Sequence, residues 1–173
     1  LYKILKKRII SEKLLSVYES IEKPLISVLV KIEKSGIKID TKWLKNLGLV
    51  FQKKLSKIEK EIFKLSNMEF NIASPKQLGE VIFNKLRIKG GRKKKSGFYS
   101  TSADVLEKLA EEGNKIASLI LQWRGLQKLK NTYSDALQNQ INKTSERVHT
   151  QFNLTGAMTG RFSSSNPNLQ NIP

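Results

Sequence analysis

The chain has 173 residues, enough for one domain with its own core or for an elongated arm carrying a smaller one. Its 32 lysines and arginines against 15 aspartates and glutamates give a formal charge of +17, which points to a polyanionic partner, nucleic acid before an acidic membrane surface. Zero cysteines exclude disulfides and thiolate metal sites and fit a reducing cytoplasm, the single histidine cannot build a zinc site alone, and no apolar run approaches the roughly 20 residues that cross a bilayer. Lysine supplies 26 of the 32 cations, and the chain is rich in isoleucine and asparagine, as AT-rich coding would also produce. Where the cations fall therefore matters more than how many there are.

Leu1 to Ile10 is too short and too broken by lysines for a signal peptide. The chain starts without methionine and stops on a proline, and it is read as an excerpt of a longer protein. From 11 to 35, apolar residues including Leu14, Leu15, Tyr18, Ile21, Leu25, Val28, Leu29 and Ile32 recur mostly at helical spacing. Pro24 interrupts this run or begins a second helix, and Gly36 stops it. Ile37-Lys38-Ile39 is a brief extended link, and Asp40 stands at an N-cap position. From there to about Ser66, Leu44, Leu47, Phe51, Leu55, Ile58, Ile62 and Leu65 form a seam along a long helix that must bury against another. Lys45, Lys53, Lys57, Lys60 and Lys64 lie off that seam and read first as a solvated face.

After a connection over 67–73, Ser74-Pro75-Lys76-Gln77 combines an N-cap serine, proline at the first helical position and a capping-box glutamine. The short helix that follows runs to about Leu86 with Leu78, Ile82 and Leu86 inward. Lys85 to Lys95 then holds seven basic residues in eleven, with no acid, broken by Gly90-Gly91. Such a basic tip can lie along phosphates, with Lys93, Lys94 and Lys95 as contacts, but it lacks the Gly-Lys-Ser/Thr order of a nucleotide-binding loop. Ser100-Thr101-Ser102 caps a helix bearing Val105, Leu106 and Leu109 that stops near Gly113. A second long helix spans about 114–138, its buried side marked by Ile116, Leu119, Ile120, Trp123, Leu126, Leu129 or Lys130, Tyr133 and Leu137. Off that seam Arg124, Lys128 and Thr132 recur every fourth residue, so they share a face at about 6 Å steps and can follow a phosphate backbone. The two long seams are expected to pack as an antiparallel pair.

Val148, Thr150, Phe152 and Leu154 alternate with His149, Gln151 and Asn153, a strand pattern that places His149 on the polar face with no nucleophile or carboxylate patterned beside it. It leads into Thr155 to Pro173, TGAMTGRFSSSNPNLQNIP, which reads as a loop whose polar groups reach outward to a ligand. Arg161 supplies a rigid donor fork there.

The run from Thr159 to Pro173 resembles the entry to the palm of the A-family DNA polymerases, the DNA polymerase I type. Trp123 to Tyr133, Ser100 to Glu107 and Phe70 to Leu78 are similar to further family segments in the same order and at about the same spacing. The resemblance implies a mainly α fold, a long antiparallel helix pair forming the polymerase thumb, with a short β segment and loop opening the palm. Residues 1–24 would end a preceding 3′ to 5′ exonuclease-like domain, 25–145 would be the thumb and 146–173 the start of the palm. The implied partner is double-stranded primer-template DNA, gripped by a monomer without a membrane.

The position matching Arg161 donates to the minor-groove edge of the terminal base pair, where every correct pair presents acceptors alike. Asn168, Gln170 and Asn171 match positions near primer and template, while Arg124, Lys128, Thr132, Ser100 and Ser102 match thumb positions facing phosphates. Asn71 keeps one asparagine of a Phe-Asn-x-Asn-Ser pattern whose second is Ala73 here, and Gly156 and Met158 also depart from the family's usual residues. The catalytic carboxylates, the two Mg2+ ions they hold and the dNTP site belong in the family to segments beyond residue 173, so this chain is expected to hold no metal or catalytic residue and to be inactive alone. Two rival readings remain: a lysine-rich helical interaction module without nucleic-acid specificity, and a protein held by charge at a membrane surface.

Overall fold

A computed structural model describes residues 1–93 and 97–172. In chain order the elements are α1 (Tyr2–Ser11), α2 (Leu15–Val17), a π-helical turn (Tyr18–Glu22), α3 (Lys23–Ser35), β1 (Ile37–Lys38), α4 (Thr41–Ser66), α5 (Pro75–Gly79), a second π turn (Glu80–Lys85), α6 (Ala103–Glu111), α7 (Lys115–Leu129), a third π turn (Lys130–Asp135), α8 (Ala136–Asn139), β2 (Arg147–Val148), β3 (Gln151–Asn153) and β4 (Ser163–Ser165). The mainly helical expectation holds. The chain divides into two compact units, Thr41–Ala136 and the pair of segments Leu1–Asp40 and Leu137–Pro173. Among the described residues no helix is long and apolar enough to cross a membrane.

In the unit 41–136, α4 and α7 pack together as the two seams require. Ser134 Oγ donates to Leu44 O at 3.1 Å near one end of α4, and Trp123 Nε1 donates to Glu59 Oε1 at 2.9 Å further along, so the chains run antiparallel. Leu55, Ile62, Ile116, Ile120 and Trp123 share a core with Leu78, Ile82, Leu106 and Leu109 from the shorter helices. Leu55 and Ile62 are fully buried, and each such side chain contributes about 1.5–3 kcal/mol relative to exposure. Close approach needs Gly48: a Cβ there would lie 2.6 Å from Ser134 Oγ.

The seam differs from expectation at both ends. Leu65 is 43% exposed and Ser66 is buried in its place. Steps averaging 3.5 residues drift by about 20° per heptad on a straight helix, and after three heptads the inward line has moved on by one residue. Ser66 is satisfied locally, its hydroxyl bonding Met68 O at 2.9 Å. In the partner helix, the π turn Lys130–Asp135 inserts an extra residue per turn, which brings Ser134 rather than Tyr133 fully inward. Lys130 bridges that turn by an ion pair to Asp135.

Ser74 caps α5 as read, accepting from Gln77 N at 3.4 Å. The capping-box reading needs correction: the Gln77 side chain accepts from Asn71 N at 2.8 Å instead of from the cap residue, because Ser74 N already donates to Asn71 O. Ser102 occupies the N-cap position of α6 without making a capping bond, since its hydroxyl faces Asp104 and Ser100.

In the other unit, Pro24 lies in the first turn of α3, directly after a π turn. Its ring collides with the preceding turn of a regular α-helix, and the wider turn relieves that collision. The C-terminal carbonyls of α3 are taken up from across the unit: His149 Nδ1 lies 2.8 Å from Glu33 O, and Arg147 Nη2 donates to Gly36 O at 3.1 Å. His149 therefore ties a helix end from the link between β2 and β3, not from within a strand as its alternation suggested. The extended link at 37–39 becomes β1, paired antiparallel with β2 through Ile37↔Val148 and Lys38↔Arg147. The strand pattern over 148–154 is broken into β2 and β3 rather than continuous. The three serines read as loop form β4 instead, pairing with β3 as Gln151↔Ser165, Phe152↔Ser164 and Asn153↔Ser163.

Candidate nucleic-acid interface

The candidate residues fall into two groups, one in each unit. In the unit containing the β3–β4 hairpin, the segment that follows the Arg161 loop, from Ser164 to Leu169, is held by buried hydroxyls. Thr150 Oγ1 lies 2.7 Å from Pro167 O, 3.0 Å from Ser165 O and 2.8 Å from Ser164 Oγ. Its single proton goes to a carbonyl while its lone pairs accept, and Ser164 Oγ also receives Leu169 N at 2.9 Å. Thr150 and Ser164 are both nearly inaccessible. A peptide Phe152 N donates to the Glu33 carboxylate at 2.7 Å, and the Phe152 and Phe162 rings meet edge to face with centroids 5.5 Å apart.

Arg161 is exposed, immediately after Gly160 at φ +75. Its guanidinium makes no ion pair or hydrogen bond among the described residues. Asn168 is committed locally, its Oδ1 accepting from Gln170 N at 3.0 Å and Asn171 N at 3.3 Å, which turns the backbone and leaves the Gln170 side chain exposed. Asn166-Pro167 is a cis peptide.

In the unit 41–136, Arg124 is half-buried and donates through Nη1 to Thr101 O and through Nη2 to Thr101 Oγ1. Burial lowers its pKa from the ordinary guanidinium value. The fork thus fixes the Ser100–Ser102 stretch, whose two serine hydroxyls lie 3.2 Å apart, against α7. Lys128 is exposed one turn further on. Thr132 is exposed too, but it falls within the π turn, so the regular four-residue row ends at Lys128. Asn71 Oδ1 accepts from Ala73 N at 3.0 Å, a bond that keeps the connection before α5 compact.

The base of the basic tip is a short antiparallel pairing: Lys93 bridges Tyr99, Ser100 N donates to Arg92 O at 2.8 Å, and Lys93 Nζ lies 5.2 Å from the Tyr99 ring centroid. Gly91 has a packing reason of its own, since a Cβ there would come within 2.7 Å of the Phe83 ring. Lys94 and Lys95 lie outside the described residues. No three His, Cys, Asp or Glu side chains converge among the described residues, and no metal-dependent step is assigned to them.

Sequence reasoning missed the buried hydroxyl pair Thr150–Ser164 and the two side-chain ties between α4 and α7. One signal was present. Thr150 shares a strand face with Val148, Phe152 and Leu154, and a hydroxyl on an apolar face requires a partner.

A family model described as DNA polymerase family A matches residues 41–173. The chain belongs to DNA polymerase family A. It is 46% identical over its whole length to DNA polymerase I of Rhizobium leguminosarum, of which it covers 17%. It is also 46% identical over 163 residues, 94% of this chain and 19% of the relative, to the thermostable DNA polymerase I of Thermus caldophilus. Among solved structures, the POL domain of Pol1 from M. smegmatis in complex with DNA primer-template and dNTP matches this family A chain with a TM-score of 0.86 at 35% identity, covering 98% of this chain and 30% of that one. The chain thus spans about a fifth of the length of the curated relatives it matches.

Proposed function

We propose that this chain is the thumb and the opening of the palm of a DNA polymerase that grips duplex primer-template DNA while adding dNTPs to the primer 3′ end in the bacterial cytoplasm. Residues 25–145 form the thumb, 1–24 end a preceding exonuclease-like domain, and 146–173 begin the palm. The observation that carries this reading is Arg161, an exposed guanidinium without a partner among the described residues, two residues before a strand whose Ser164 is tied by buried hydroxyls. An arginine held in this way meets a base-pair edge without first breaking an internal bond, and minor-groove acceptors common to all correct pairs suit it.

Asn168, Gln170 and Asn171, in the segment after β4, face the two strands. Lys128, Lys93, Lys94 and Lys95 neutralise phosphates along the thumb, with Thr132, Ser100, Ser102 and Asn71 as neutral donors. Arg124 orders Ser100–Ser102 through Thr101 and offers its remaining N–H donors to the backbone. Two Mg2+ ions and the incoming dNTP would be held by carboxylates and helices of the longer enzyme, and the ions would supply Lewis-acid activation of the primer hydroxyl there. This chain alone positions the duplex and is inactive, and the enzyme acts as a monomer.

The reading is tested by duplex binding across a salt series. The logarithm of affinity should fall by about 0.9 per phosphate neutralised for each unit of log salt. Neutralising Lys93, Lys94 and Lys95 together should flatten that slope by up to about 2.7; an unchanged slope removes the tip from the interface.

A further inference from the structure

We infer that the outward face of α4 is a further duplex-DNA contact, in addition to the Arg161 loop of the one unit and to Lys128 and the basic tip of the other. Lys53, Lys57, Lys60 and Lys64 recur at steps of four, three and four, so they form one row on the side of the helix opposite the buried line through Leu55 and Ile62. All four are exposed, and none makes an ion pair or a hydrogen bond among the described residues. The nearby acids offset the row only in part: residues 53–64 hold five lysines against Glu59, which receives Trp123 Nε1, and Glu61, which forms no ion pair among the described residues.

Like charges three or four residues apart destabilise a helix by about 0.2–0.5 kcal/mol per pair. The helix dipole offsets this only within the last turn, and so only for Lys64. Lys53, Lys57 and Lys60 have no such compensation, and with Leu49, Gln52 and Ser56 the three line a shallow concavity along the helix. Eleven residues of helix carry the row over about 16 Å at 1.5 Å per residue. Duplex DNA presents a charge about every 1.7 Å of its axis, so a straight row with one cation per helical turn of about 5.4 Å faces several phosphates per lysine along its whole length. A single strand would instead need aromatic platforms for its bases. The nearest exposed aromatic on α4 is Trp43, ten residues before Lys53.

The test is the salt dependence of binding to a blunt duplex by this chain and by its K53Q/K57Q/K60Q/K64Q variant. The variant should lose about 3 units of slope and bind at least tenfold more weakly at low salt, and the matching four-arginine variant should restore both. A charge-matched control, K3Q/K6Q/K7Q/K31Q, should lose less than a third as much. Equal losses in the two glutamine variants, or a slope changed by less than about 1 in the α4 variant, overturn the proposal. A loss confined to single-stranded DNA overturns it as well. Arg161→Ala should lower affinity additively with the α4 substitutions, so failure of the α4 face leaves the reading of Arg161 intact, and the reverse also holds.

Discussion

At the level of single residues, the segment from Ser164 to Leu169, just after Arg161, depends on hydroxyls that face inward. Thr150 Oγ1 serves three oxygens from Ser164 to Pro167 within hydrogen-bonding distance, and Ser164 Oγ holds Leu169 N. Thr150→Val keeps the shape and removes the polar atom, so the carbonyl that takes its proton and the buried Ser164 hydroxyl each lose a partner. We expect it to destabilise the unit by about 1–3 kcal/mol in urea unfolding. Arg161→Ala, by contrast, removes an exposed side chain with no internal bond and should change stability by less than about 0.5 kcal/mol. Arg124→Lys tests the other anchor. A lysine cannot reproduce the fork to Thr101 O and Oγ1, so the Ser100–Ser102 stretch should loosen, read as faster amide exchange at Ser100.

For whole elements, the α4–α7 pair was legible because both seams are long and apolar, and burial of one requires the other. What was not legible is how a seam ends. A 3.5-residue spacing in sequence does not say whether the helix supercoils to keep it, and here Ser66 replaces Leu65 on the inner side. Nor do Lys130 to Asp135 announce a π turn, yet that turn sets Ser134 against Leu44 and takes Thr132 out of the row with Arg124 and Lys128.

The serine run was misread as loop because serine favours turns locally, whereas pairing with Gln151–Asn153 is a long-range choice made by Thr150 and Phe152. The contact of α4 with the π turn gives a specific test. Gly48→Ala should cost about 1–3 kcal/mol, since the added Cβ meets Ser134 Oγ, and the cost should shrink in a Ser134→Ala background. Equal costs in both backgrounds would mean that the helices approach differently.

On the scale of the molecule, a charge of +17 is divided between two compact units. The loop with Arg161 belongs to one, and Lys128, the basic tip and the α4 lysines belong to the other. Charge on the helical unit should govern affinity and its salt dependence, while Arg161 should govern what happens at the reacting terminus. Primer extension by this chain alone should yield no incorporated nucleotide if, as proposed, the metal-binding carboxylates belong to the longer enzyme. The most direct measurement is single-turnover incorporation alongside duplex affinity for Arg161→Ala in the longer polymerase. The account predicts a fall in the incorporation rate of at least tenfold beyond any loss of DNA affinity, equivalent to about 1.4 kcal/mol at the transition state. Equal losses in rate and affinity, or a loss of affinity alone, would contradict it.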